Sequence, residues 1–417
     1  MEALKAARCF DGERFRPEGV TALVDGERIV GIEPLAYDVP DGVEVTAYDG
    51  TLLPGLVDAH VHLVSDSSLG SLERAGSAPD EELDAMISCT LAANARSGVT
   101  TVRDLGDRSY RTLVARDRLT PGEPRIVAAG PPLTEPGGHC HFLGGEVAGV
   151  DAVRAAVHEH VERGVDVIKV MASGGMLTIG TDLLGVQLTA DELRAAVDET
   201  HAAGLRIVAH CQSEAGARHA VARGVDGLEH ATLLGPDGIA IPDDLIGEIA
   251  ARGITVDPTL GFDPDRLTPV DQAPPHVRAV VERVGMTPVE VARRRAAQLA
   301  RMHQAGVRLV SGLDAGAAPP KPHGALWRAV VHLLDAGLTS AQALSTATSA
   351  AADDCGLGGV TGRLVPGLAA DLLVVDGDLE TDLSALGSPV VTRVRGVATY
   401  PPSSSSAARA SASDFSA

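Results

Sequence analysis

The chain has 417 residues, 45% of them hydrophobic and 22% charged, enough for one large domain with a substantial core and something smaller beside it. Acidic residues outnumber basic ones 56 to 35, and the resulting formal charge of −21 repels nucleic acids and anionic membrane surfaces alike. Aromatic residues make up only 2%, too few for base-stacking platforms or an aromatic-walled pocket, so any pocket is expected to be aliphatic and polar.

The opening MEALKAARCFDGERF lacks a long apolar run, and no stretch approaches the length of a membrane span. The five cysteines, Cys9, Cys89, Cys140, Cys211 and Cys355, are scattered and never spaced as CxxC, the usage of a reduced protein without disulfides. A cytoplasmic protein is expected, with a small-molecule substrate, no nucleic-acid or membrane partner, and homo-oligomerisation left open.

In chain order, VTALVDGERIVGIEP reads as a hairpin around Asp25-Gly26. LVDAHVHL, residues 56 to 63, follows as an apolar strand carrying His60 and His62. Successive side chains of a strand alternate faces, so these two imidazoles share one, the geometry a metal requires. Two ordinary half-buried histidines would fit the pair alone equally well.

One phrase then recurs: a helical stretch, a glycine-led turn and a β-branched apolar run, as in ARSGVTTVRDLGD, VERGVDVIKVMASGG, HAAGLRIVAHCQSE, VARGVDGLEHAT, AARGITVDPTL and HQAGVRLVSGLDAG. With LVDAHVHL and PRIVAAG these make eight strands. The intervening segments have helical periodicity, one of them opened by Thr189 and Glu192 in a capping-box pattern. The expected fold is α/β: a (β/α)8 TIM barrel over residues 54–357, with a small β-sandwich domain built from both chain ends, 1–53 and 358–400. The serine- and alanine-rich tail, 401–417, is expected to be disordered.

In such barrels chemistry sits at the C-terminal ends of the strands. There the first strand offers His60 and His62, the fourth Lys169, the fifth and sixth His210 and His230, and the eighth Asp314. Lys169 is one of only three lysines, and a buried ammonium needs a partner or a lowered pKa. Either an internal carboxylate pairs with it, or its neutral amine takes up carbon dioxide to become a carbamate that bridges two metals. Four histidines and an aspartate on the same face weigh for the carbamate, and the set suits two divalent ions.

GLVDAHVHL, VIKVMASGG, IVAHCQS, GLEHAT and SGLDAG, in that order, resemble the amidohydrolase superfamily from about residue 10 to about residue 395. KVMASGG, the GGH of EPGGHCHF and the segment PHGALWRAVVHLLDAGLTSAQALSTATSAAA are most similar to its imidazolonepropionase-related branch, which includes the Xaa-Pro dipeptidases. The resemblance implies two zinc ions: His60, His62 and Asp314 on the more buried, His210 and His230 on the more exposed, and carbamylated Lys169 on both. It implies hydrolysis of a carbon–nitrogen bond by a metal-bridging hydroxide, with Asp314 as general acid and base and His139 contacting the substrate carbonyl or carboxylate. His139 or His141 could instead merely cap its loop.

The pattern departs from dipeptidase relatives after the sixth strand, where EHATLLGPDG carries leucines in place of a tyrosine. A mononuclear deaminase would carry a glutamate three residues after His210, and this chain has Ser213. Lactone or phosphoester hydrolysis on the same centre stays open, as does a catalytically silent scaffold, which would have no reason to keep all six ligands. His158, His160, His201, His219, His303 and His332 are expected to be solvated, and His323 is left out of the site. Arg103 and Asp104 are expected to pair beneath the metals, and the proline-rich GFDPDRLTPVDQAPPHVRAVVERVGM to form a lid or wall.

Overall fold

The computed structural model describes residues 1–267, 269–272 and 275–400. All eight expected strands form, in order: Leu56–Val61, Val99–Asp104, Arg125–Ala128, Val167–Met171, Arg206–Ser213, Gly227–Gly235, Thr255–Asp257 and Arg308–Leu309. Chain neighbours pair in parallel, the first three in one sheet and the last five in another. A short strand, Gly238–Ile239, adds an antiparallel partner to the sixth.

The two sheets meet along both edges. On one side Leu133, just past the third strand, donates to the Lys169 carbonyl and accepts from Met171 N–H, each at 2.9 Å. On the other, Ala59 donates to Ser311 O at 3.1 Å, Asp314 to His60 O at 2.8 Å and His62 to Ala315 O at 2.7 Å. These bonds bring the chemistry-bearing ends of the first, fourth and eighth strands together. Every residue of Leu56–Val61, Val99–Asp104 and Val167–Met171 is buried, the polar ones among them included.

Helices alternate with the strands. Val150–Arg163, Glu214–Arg223 and Asp243–Arg252 each stop at a left-handed glycine, Gly164, Gly224 and Gly253. Ala190–Ala202 begins with the expected Thr189–Glu192 capping box. Their inward faces, such as Val153 and Val157 or Leu193 and Val197, join one continuous core with the strands.

Both chain ends enter one eight-stranded sheet. Its path is Val397–Tyr400, Pro389–Val394, Leu372–Val375, Glu44–Pro54, Glu2–Phe10, Val20–Asp25 and Arg28–Pro34, with Phe15–Arg16 also on Glu2–Phe10. The hairpin at Asp25-Gly26 is present, with Asp25 opposite Arg28. Leu4, Val24, Ile29, Leu52, Leu372 and Val374 give this sheet a core of its own. The strands expected to build a small β-sandwich domain from both chain ends are thus present and joined by hydrogen bonds into one sheet. The expected disordered tail lies outside the described residues. Among them, no helix is long and apolar enough to cross a membrane.

The segment after the seventh strand contains a turn at Pro264–Arg266 and a helix, Pro275–Val284, before the long helix Pro288–Gln304. Residues 268, 273 and 274 of the expected lid lie outside the described residues. Met286 and Val291 pack with Leu183, Leu234 and Ile239, so they rest on the loop after the fourth strand, the end of the sixth and its short antiparallel partner.

One expectation about the histidines fails. His158 is exposed, but His160 is buried, its Nε2 2.9 Å from Pro131 O and its Nδ1 3.1 Å from the Tyr110 hydroxyl. Residues two apart on a helix point about 200° apart, so when one meets solvent the other meets the core. His201 and His332 are exposed as expected; His219 and His303 are half-buried.

Candidate metal centre

His60, His62 and Asp314 converge: Asp314 Oδ1 lies 3.3 Å from His62 Nε2 and 3.6 Å from His60 Nε2. The His230 ring is centred 5.3 Å from His60 and 4.6 Å from His210, and the His139 ring 4.4 Å from His210. Lys169 stands opposite Val208 on the adjacent strand, two residues before His210, and its charge acts on His60, His139, His210 and His230. The structure thus gathers all seven residues singled out in the sequence.

Lys169 is 2% exposed, and burial pushes its ammonium below the ordinary range. Among the described residues its Nζ forms no hydrogen bond and no ion pair. The nearby carboxylates are engaged elsewhere: Glu229 with His60 at 2.7 Å and with Arg103 at 3.5 Å, Asp314 with the two histidines. The internal salt bridge that was the alternative for this lysine is not formed.

Each of the four strand-end histidines is anchored through one ring nitrogen. His60 Nδ1 meets Glu229 Oε2 at 2.7 Å, His62 Nδ1 meets Gly106 O at 3.2 Å, His210 Nε2 meets Gly174 O at 3.2 Å, and His230 Nδ1 meets Thr259 Oγ1 at 2.8 Å. Anchoring one nitrogen orients the ring and leaves the other for a ligand, the arrangement that supports metal-binding histidines. Burial holds His60, His210 and His230 well below the usual imidazole range, in the neutral form whose lone pair binds metal. At His62 burial acts the same way, but the Asp314 carboxylate outweighs it and raises the pKa. Burial alone would raise Asp314; the hydrogen bond and charge of His62, with the Lys321 ammonium, overcome it, and the carboxyl is held ionised. Neutral imidazoles, an ionised carboxylate and an unpartnered lysine fit divalent cations.

Backbone conformation aims several of these groups. His230, Ala231, Thr259 and Asp314 have φ of +64°, +42°, +44° and +61°, in the left-handed region that costs a non-glycine residue about 1–3 kcal/mol. The turn at His230 breaks the strand's alternation, so Glu229 and His230, adjacent in sequence, both reach His60.

Sequence reasoning missed Glu229 for that reason: strict alternation sends it away from His230. Its one available signal was a lone carboxylate inside the apolar run GLEHAT. The expected Arg103–Asp104 pair is not formed, because neighbours on a strand face opposite ways. Arg103 instead reaches Asp354 at 2.8 Å, Glu229 at 3.5 Å and Ala59 O at 2.8 Å. Asp104 accepts from Leu63 and Gly106 N–H.

His139 is buried, its Nδ1 2.8 Å from Thr178 Oγ1 and its pKa pushed down to about 3 by burial. The loop after the fourth strand closes against it: a Cβ on Gly175 would lie 2.3 Å from the ring, so only glycine fits. His323 braces loops, with Nε2 on Ser65 O at 2.8 Å and Nδ1 on Asn94 Nδ2 at 3.2 Å.

Buried carboxyls below the centre make stability depend on pH. Burial pushes Asp58 and Asp257 up to about 8 and Asp107 to about 7. In the unfolded chain they ionise near pH 4, so above that the folded state retains protons the unfolded state has lost, and stability falls as pH rises. The depressed histidines act in the opposite sense, but only below about pH 6.5, where unfolded imidazole takes up protons. His62, raised, adds to the fall above it. With a chelator present, the melting temperature of the wild type should therefore drop more between about pH 6.5 and 8 than that of Asp58→Asn, the depressed Lys169 and Lys321 pulling the other way in both. A pH dependence in calorimetry unchanged by that substitution would contradict this placement of charge.

Imidazoles, a carboxylate and an unpaired lysine thus converge at one end of the parallel strands. The family model for the amidohydrolase family matches residues 51–398, and the chain belongs to that family. It is a hydrolase. An uncharacterized protein of Mycobacterium tuberculosis is 28% identical over 381 residues, 90% of either chain. The crystal structure of an Xaa-Pro dipeptidase with bound methionine in the active site has the same fold: TM-score 0.81 and 24% identity over 96% of this chain and 99% of that one. A prolidase crystallised with N-methylphosphonate-L-proline is 26% identical, with TM-score 0.80 over 96% of this chain and 100% of its own.

Proposed function

We propose that this chain is a binuclear metal-dependent amidohydrolase that cleaves a carbon–nitrogen bond in a small substrate, a dipeptide or an N-acyl amino acid. In this reading residues 54–357 close as a (β/α)8 barrel, and residues 1–53 with 358–400 form a separate small domain. The observation that carries it is Lys169, a buried lysine without an ion-pair partner among five neighbours suited to metal. Its neutral amine adds carbon dioxide and releases a proton, giving an anionic two-oxygen group. His60, His62 and Asp314 would hold one ion, His210 and His230 the other, and the Lys169 carbamate both, with zinc the ion these nitrogen and oxygen donors suit.

Bound there, two divalent ions would lower the pKa of a water to near neutrality and polarise a carbonyl. The chain's own residues do the rest. Asp314, held ionised, accepts the proton released as the carbonyl is attacked and returns it to the departing amine. His139, neutral and fixed by Thr178, directs Nε2 to the substrate carbonyl or carboxylate. The arrangement near Ser213 speaks against the deaminase: its hydroxyl caps the next helix through Gly216 N–H, and Glu214 pairs outward with Arg218 at 2.8 Å.

Metal content of protein produced with added zinc and bicarbonate, together with hydrolysis of a panel of dipeptides, N-acyl amino acids, lactones and phosphoesters, tests the proposal. Two metals per chain, turnover of the first two classes and its loss on chelation are expected. Undiminished turnover after metal removal would overturn it, and turnover of lactones or phosphoesters alone would move the scissile bond.

A further inference from the structure

Two buried cations near the candidate centre have no role so far. Arg295, on the helix Pro288–Gln304, and Lys321, after the eighth strand, are 8% and 6% exposed. Among the described residues neither has a carboxylate within ion-pair distance. Both spend their N–H groups on backbone carbonyls. Arg295 donates to His230 O at 2.8 Å, Ala231 O at 2.9 Å and Pro258 O at 2.9 Å, and to Gln298 Oε1. Lys321 donates to Thr259 O at 2.5 Å and Leu313 O at 2.9 Å.

These carbonyls belong to the places where the strand ladder fails. Pairing of the fifth and sixth strands runs to Cys211 opposite His230, then slips and resumes at Ser213 opposite Leu234. The carbonyls of residues 230 to 232 are thereby released, and a released buried carbonyl must find a donor. Arg295 takes the first two, and Gln298, one helical turn on, takes Thr232 O at 3.1 Å. Lys321 closes the corresponding gap between the seventh and eighth strands. Every site braced is next to, or is itself, a left-handed residue: His230, Ala231, Thr259 and Asp314. Thr259 in turn holds the His230 ring.

We propose that Arg295 and Lys321 are positioning residues: a two-cation brace that holds the strained turns aiming His230 and Asp314. Guanidinium and ammonium suit the task because one side chain supplies several donors to a cluster of carbonyls. The inference rests on the reading of His230 and Asp314 as metal ligands, and its test separates the two.

The experiment uses the full chain loaded with cobalt(II), reading cobalt affinity by chelator competition and geometry by visible absorption. Arg295→Met and Lys321→Met should each weaken cobalt binding by about 10–100-fold, the scale of losing support behind a ligand, and alter the absorption bands. Arg295→Lys and Lys321→Gln, which keep part of the donor set, should lie between these and wild type and guard against misfolding. Leu4→Ala, in the terminal sheet, should lower the melting temperature but leave affinity and spectrum unchanged. Methionine variants that bind cobalt as wild type does would overturn the proposal. Wild type that takes up no cobalt would sink the metal centre alone. Amide exchange at residues 230–233 and 313–315 then decides the brace: faster in both Met variants if it holds, unchanged if it does not.

Discussion

Replacing Lys169 by alanine should abolish turnover and, unlike any other single change, leave a protein that a small carboxylic acid can partly restore. Alanine removes the amine that would become the carbamate but leaves a cavity among His60, His210, His230 and Asp314, into which acetate or formate could bring the same two oxygens. The expected loss is more than about 10³-fold, at least the scale of removing a preorganised electrostatic group. Measurement is direct: kcat/KM with and without acetate, metals per chain in both states, and the intact mass of the wild type under bicarbonate, which should exceed the sequence mass by one carbon dioxide. Full activity in the variant, or a wild-type mass without the increment in active protein, would remove the bridging group from the reaction. The substitution should also raise stability in the metal-free state, because it deletes a buried ammonium that has no partner.

Asp314→Asn should separate binding from proton transfer. Asparagine keeps an oxygen donor at the same point between His60 and His62 but accepts no proton, so kcat should fall by about 10²–10⁴-fold. KM should change little, because His139 and the loop closed by Gly175 are untouched. His62 supplies a second readout. Its pKa is raised against the pull of burial chiefly by the Asp314 carboxylate, so without that charge it should drop, observable by NMR of the metal-free protein. A variant with wild-type kcat, or one in which His62 titrates as before, would take the proton relay away from Asp314.

Much of this was legible because the motifs obey simple periodicity. His60 and His62 share a face of one strand, glycine-led turns punctuate eight similar units, and Lys169 stands out as a cation inside an apolar run. What could not be read is where periodicity breaks. Glu229 and His230 are neighbours that reach the same ring only because His230 turns left-handed, and a sequence carries no mark for a left-handed histidine. Arg103 looked like a partner for the residue beside it, yet its carboxylates come from Glu229 and Asp354, 126 and 251 positions away. His160 shows the opposite error, a helix face misjudged because spacing alone does not say which of two residues points inward. Arg295 and Lys321 carry no motif at all. Their partners are backbone carbonyls, which every sequence contains.

The terminal sheet has a consequence for the order in which the protein is made. Glu44–Pro54 leaves the ribosome early, but its antiparallel neighbour Leu372–Val375 is synthesised only after the whole eight-strand segment, tens of seconds later at about 5–20 residues per second. Until then the nascent chain carries an open strand edge along Leu52 and Leu53, both fully buried in the finished molecule. Release of a chain truncated before residue 372 should therefore give an aggregating product even though every residue of the candidate centre is present. The last turns of translation close the first strands made.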